Sequence, residues 1–130
     1  MSRAMQEPTF LILTALADGA QHGYGIITDI EGISAGRIRM RAGTLYAALD
    51  RLRAEGLIAA DREEVVDGRL RRYYRLTDDG AAALAAEVDA LRRRTETAAR
   101  RLAARPRLGG AASALFAPAF TGPHFPGGLL

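Results

Sequence analysis

Apolar residues along the chain keep helical spacing over the first half, then alternate, then return to helical spacing. Thr9–Ala17 is dense in leucine and isoleucine, and Pro8 just before it suits a helix start. Asp18, Gly19 and Ala20 break that run. A second helix is expected from about Gly23 to Ile33, with Tyr24, Ile27 and Ile30 at spacings of three along one face. Gly32, Ser34 and Gly36 end it. Arg37–Arg41 alternates charged and apolar residues, the pattern of a short exposed strand or an extended linker. Gly43-Thr44 opens a third helix, Leu45 to about Glu55, and Gly56 closes it as a C′ glycine.

Leu57–Glu64 and Arg69–Leu76 then read as strands, with the hairpin-turn dipeptide Asp67-Gly68 between them. Thr77 caps a long helix whose first turn holds Asp78 and Asp79, where the helix dipole favours negative charge. That helix is expected to reach about Ala104, before Pro106. Its seam positions are Leu84, Val88, Leu91, Thr95, Ala98 and Leu102, separated by steps of 4, 3, 4, 3 and 4. Such a heptad spacing points to a partner helix, and the seam is read as a homodimer contact.

The order of elements predicts a mainly α fold with a small β-hairpin: a winged helix-turn-helix with a C-terminal dimerisation helix. Within 130 residues the expected organisation is a winged-helix DNA-binding domain over 1–77, a dimerisation helix over 78–105 and a tail over 106–130. The tail is rich in glycine, proline and alanine and is expected to lack regular structure. It also carries Leu115, Phe116, Phe120, Phe125, Leu129 and Leu130, more apolar residues than a solvated linker needs. Docking of Phe116 and Phe120 into a cavity or groove is the expectation there.

Charge sharpens the reading. All 18 basic residues are arginine, and the net charge is +3. Residues 37–75 carry ten arginines against six acids, whereas residues 1–36 carry one against four. The basic excess is therefore central, and guanidinium groups in such a cluster suit phosphates and guanine edges. With no cysteine and only His22 and His124, thiolate and histidine-rich metal sites are excluded, and no metal or other cofactor is expected. Neither a Ser/His/Asp set nor a phosphate-binding glycine loop is present, so no catalysis is expected. No apolar run approaches the length of a membrane span and no signal-peptide core is seen, so a cytoplasmic protein is expected.

In the third helix, Leu45, Ala48, Leu49 and Leu52 share one face and are expected to enter the core. Thr44, Tyr46, Ala47, Asp50, Arg51 and Ala54 are left for a DNA major groove. Arg51 is expected to reach a base edge or phosphate, Tyr46 to donate to a phosphate, and Ala47 to touch a thymine methyl. Arg39 and Arg41 precede this helix and suit flanking phosphates. Arg69, Arg71 and Arg72, with Arg75 and Arg62, make the hairpin an arginine-bearing ribbon fit for the backbone or a narrow minor groove.

The segments His22-Gly23-Tyr24-Gly25-Ile26, Gly43-Thr44-Leu45-Tyr46-Ala47-Ala48-Leu49 with Leu52, and Glu55-Gly56-Leu57-Ile58 line up with a known family. With Gly68-Arg69-Leu70-Arg71-Arg72-Tyr73-Tyr74-Arg75-Leu76-Thr77 and Gly80, they closely resemble the PadR family of bacterial transcriptional regulators. The resemblance covers roughly residues 8–104 and matches the smaller subgroup with one C-terminal helix. It implies a winged-helix homodimer on a palindromic double-stranded DNA operator, usually a repressor released by a small aromatic or drug-like effector. Between two protomers such an effector is expected to meet Phe10, Leu13 and Leu91. Alanine at 47 and leucine at 70 stand where the family usually has proline, which alters helix entry and wing stiffness without abolishing the fold. The competing reading is a winged-helix protein-interaction module without specific DNA binding; steep salt dependence and sequence preference separate the two.

Overall fold

The computed structural model describes residues 5–106, so the tail after Pro106, with Phe116 and Phe120, lies outside the described residues. The described residues divide into two units, with the boundary between Arg93 and Arg94. The first holds a winged helix-turn-helix core.

Helix α1 (Glu7–Ala17) carries Pro8 in its first turn, where a missing N–H leaves no bond unmade. Thr9, Leu11, Ile12, Leu13, Ala15 and Leu16 are all buried. A helix covered on most of its circumference is the hub of its domain, and α1 contacts both the next helix and the sheet. Strand β1 (Gln21–His22) follows, then α2 (Gly23–Ile33), whose bounds match the expected ones. Its core face is Gly23, Ile26 and Ile30, with Ile27 half-buried, while Tyr24 is 74% exposed. The expected Tyr24–Ile27–Ile30 face is therefore corrected. Steps of three fall short of a full turn by roughly 60° each, so Tyr24 points well away from Ile30.

Residues 37–41 form the linker of the two options, pinned by the Ile38 N–H donating to Ser34 Oγ at 3.0 Å and by the buried Met40. Helix α3 (Ala42–Ala54) starts three residues earlier than expected. Gly43 is tolerated there because first-turn N–H groups have no intrahelical partner to lose. Leu45, Leu49 and Leu52 are fully buried and Ala48 is half-buried, as the spacing requires. At its end the Gly56 N–H donates to the Arg53 carbonyl and the Leu57 N–H to the Leu52 carbonyl, both at 3.0 Å. These two bonds make a Schellman stop.

Strands β2 (Ile58–Val66) and β3 (Arg69–Leu76) form the hairpin, with Asp67 and Gly68 at φ 50° and 75°. Both values are positive, the type I′ geometry whose twist matches paired strands. The sheet is three-stranded in the order β1-β3-β2, all antiparallel. Strand β1 is not foreseen by the sequence pattern: two residues carry no periodicity, and only the pairing of Gln21 with Tyr74 and His22 with Tyr73 defines it. A β-bulge between Ala60 and Glu63 adds one residue to β2 and strengthens the local twist.

Thr77 caps α4 (Asp78–Ala104), its Oγ1 accepting from the Gly80 N–H at 3.0 Å and donating to the Gly56 carbonyl at 2.7 Å. One hydroxyl thus serves the start of α4 and the stop of α3. Of the expected seam, Leu84 and Val88 are half-buried, and Leu84 packs against the core of its own protomer. That follows from its place one turn after Gly80, which is pressed against Leu57 and Leu76. Leu91, Thr95, Ala98 and Leu102 are exposed or partly so, with Leu91 and Leu102 open to solvent at 36% and 46%.

Candidate nucleic-acid interface

The surface of α3 is assembled by subtraction. Leu45, Leu49 and Leu52 are taken up by the core, which leaves Thr44, Tyr46, Ala47, Asp50, Arg51 and Ala54 exposed. No side chain caps the helix start at Arg41, so the first-turn N–H groups face solvent, a favourable place for a phosphate. Arg41 pairs with no carboxylate among the described residues, and Arg39 has only a 4.0 Å approach to Glu31 between exposed side chains. Contacts of that kind contribute little.

Tyr46 is 45% exposed and its ring lies over Gly23 at the start of α2. A Cβ at position 23 would collide with the phenol, so glycine there permits the tyrosine its position. Arg51 is exposed on α3 and has two partners within the protomer. Its Nη2 donates to Thr9 Oγ1 on α1 at 3.1 Å, and its Nη1 lies 3.5 Å from Glu55 one turn on. Thr9 is a buried polar residue, and an unsatisfied hydroxyl there would be costly. The guanidinium thus bridges α3 to α1 while its side chain stays half exposed.

The hairpin sorts its arginines. Arg72 pairs with Glu63 at 3.1 Å, Arg75 approaches Asp61 at 3.8 Å, and Arg62 stacks over the Tyr73 ring 3.8 Å from its centroid. Tyr73 in turn donates to Glu64 at 2.8 Å, while Tyr74 is buried in the core. The two neighbouring tyrosines split between surface and interior as the alternation requires. Arg69 and Arg71 pair with no carboxylate among the described residues. They are the cations of the hairpin with no described carboxylate to give up before meeting an anion.

These parts meet. A cleft of about 620 Å³ separates α3 and the start of α2 from the hairpin, lined by Tyr24 and Tyr46 on one side and Arg69, Leu70, Arg71 and Arg72 on the other. Spacing by threes turns Tyr24 inward and so misses it as a site residue; taking Gly23 as the first core position of α2 finds it. Among the expected effector contacts, Leu13 is corrected. It sits on the core side of α1 with no exposed surface, so nothing remains for a ligand to touch. Phe10 is half-buried and Leu91 exposed.

His22 holds the rim of this cleft. Its Nδ1 accepts from the Gly25 N–H at 3.2 Å, capping α2, and its ring meets Tyr73 edge-on at 5.3 Å. Burial, then the nearby Arg71, hold its pKa below the usual value, with Glu64 opposing. The unfolded chain therefore binds this proton more readily than the folded one. Stability from the neutral cap is complete above the unfolded pKa of 6.5 and is lost as pH falls through the lower folded value. Urea unfolding is expected to show His22→Asn, which keeps a capping oxygen but no titrating group, losing less stability than wild type between pH 7.5 and 5. Equal losses would remove His22 from the acid response.

Among the described residues there is no cluster of groups fit to hold a metal, and no helix is long and apolar enough to cross a membrane. The family profile described as the transcriptional regulator PadR-like family matches residues 12–86. A transcriptional regulator of Mycobacterium tuberculosis, Rv3488, is 42% identical over 80 residues, covering 62% of this chain and 71% of that relative. A PadR family transcription regulator from Clostridium difficile superposes with a TM-score of 0.61 at 25% identity, over 72% of this chain and 96% of that one. Bacillus subtilis PadR, solved in complex with operator DNA, superposes with a TM-score of 0.57 at 24% identity, over 64% of this chain and 47% of that one.

Proposed function

Since the chain belongs to the PadR-like family of transcriptional regulators, we propose that it binds a palindromic DNA operator as a homodimer and represses transcription there until a small effector releases it. The observation that carries the reading is the cleft between α3 and the hairpin, where exposed Tyr24 and Tyr46 face Arg69 and Arg71, which pair with no carboxylate among the described residues. In this reading α3 enters the major groove, which at about 12 Å admits a helix. Thr44, Tyr46, Ala47 and Asp50 are its contact residues, Arg39 and Arg41 take flanking phosphates, and Arg69, Arg71 and Arg72 hold the backbone from the hairpin. That the relative in Bacillus subtilis was solved on operator DNA supports the same use of the fold.

The dimer forms along α4 through Val88, Leu91, Thr95, Ala98 and Leu102, with Leu84 anchoring the helix to its own protomer. Exposed Leu91 and Leu102 at heptad positions support this pairing. The effector, a small aromatic or drug-like molecule, sits between protomers against Phe10 and Leu91. It acts by binding two dimer geometries unequally, since equal affinity for both would shift nothing.

Selection of duplexes from a random-sequence pool by the purified full-length chain tests the reading. Inverted repeats bound by two copies, with affinity falling steeply as salt rises, are expected. Recovery of no common sequence, together with flat salt dependence, would favour a protein-interaction module instead.

A further inference from the structure

Val65 and Leu70 face each other across the hairpin two residues from its turn, and both are open to solvent, at 71% and 62%. Directly opposed residues share one face of a ribbon, so they form a single apolar knob. Every other large aliphatic side chain of the hairpin is at least partly covered. A solvated ribbon tip is ordinarily charged, because exposed strand edges invite unwanted pairing. Leucine and valine at this tip call for an occupant.

We propose that the Val65–Leu70 pair is an apolar wedge that enters the minor groove beside α3, packing on deoxyribose while Arg69 and Arg71 hold the phosphate walls. Two observations choose this occupant. Leu70 lines the same cleft as Tyr46, so the knob is continuous with the surface assigned to DNA. The residues on either side of Leu70, Arg69 and Arg71, are the hairpin cations without a carboxylate partner, which favours a polyanion over an acidic or apolar protein surface. The minor groove, about 6 Å wide, excludes a helix but admits side chains from a hairpin tip, and leucine is among the residues that wedge there. The inference rests on the DNA-binding reading and adds to it a contact that salt does not screen.

Val65→Thr and Leu70→Asn, singly and combined in the full-length chain, separate the possibilities on duplexes selected by the wild-type protein. Both positions are exposed, so melting by circular dichroism is expected to stay unchanged. The double variant is expected to lose roughly 10-fold in affinity. Its slope of log affinity against log salt should match wild type, because no cation is removed. On a duplex trimmed of the base pairs outside the α3 footprint, the difference should shrink to about twofold or less, since the wedge has nothing to enter. Equal binding by wild type and double variant on the full duplex, or an equal loss on full and trimmed duplexes, overturns the wedge alone. Self-association of wild type that the double variant abolishes would overturn it in favour of a second copy as occupant. A wild-type chain that binds no duplex overturns the wedge together with the DNA reading beneath it.

Discussion

Replacing Arg69 and Arg71 together with alanine is expected to weaken binding to double-stranded DNA by about 10- to 100-fold at moderate salt. The salt slope should become shallower by roughly two units, one for each phosphate that is no longer neutralised. The size of the effect follows from the pairing on the hairpin. Arg72, Arg75 and Arg62 already lie against Glu63, Asp61 and Tyr73. A phosphate must compete with those partners, whereas Arg69 and Arg71 have no carboxylate to surrender among the described residues. Arg72→Ala alone should therefore lower affinity less than Arg69→Ala. Fluorescence anisotropy across a salt series measures both quantities, and an unchanged slope in the double variant would take the hairpin out of the interface.

Gly80→Ala is expected to destabilise the fold by about 3 kcal/mol or more, a drop in melting temperature on the order of 12 °C for a domain of this size. A Cβ at position 80 would run into the backbone carbonyl of Leu57 and the Leu76 side chain. A flexible side chain can step aside, but the Leu57 carbonyl already accepts the Thr77 N–H at 3.1 Å and is fixed by it. The new methyl must push α4 away from the hairpin base, loosening the Thr77 bonds that join α3, β3 and α4. A helical alanine would ordinarily be favoured over glycine by about 1 kcal/mol, so a destabilisation here measures the close approach itself. Melting within a degree or two of wild type would mean that α4 does not sit so closely on Leu57.

Much of this fold is readable from local chemistry. The I′ turn at Asp67-Gly68, the Thr77 cap and the Gly56 stop each depend on a residue type whose backbone or hydroxyl dictates the outcome nearby. What local chemistry does not contain is partnership at long range. Strand β1 exists because β3 runs beside it. Arg51 lies on the outer side of α3 by helical arithmetic, yet a side chain that long bends back to Thr9, 42 positions earlier. The arginines of the hairpin look equivalent along the chain, and only the folded ion pairs, Arg72 with Glu63 and Arg75 with Asp61, tell the engaged from those with no carboxylate partner among the described residues. The site is thus legible as a set of residue types, and its internal ranking is a property of the folded pairing.

The most direct measurement is a hydroxyl-radical footprint of the full-length chain on an inverted-repeat duplex obtained by selection, with stoichiometry from sedimentation of the same complex. Two protected stretches centred about 10 base pairs apart, or a multiple of that turn, with two chains per duplex, are expected. A single protected half-site carrying one chain, or even cleavage along the whole duplex, would contradict paired presentation of α3 to DNA.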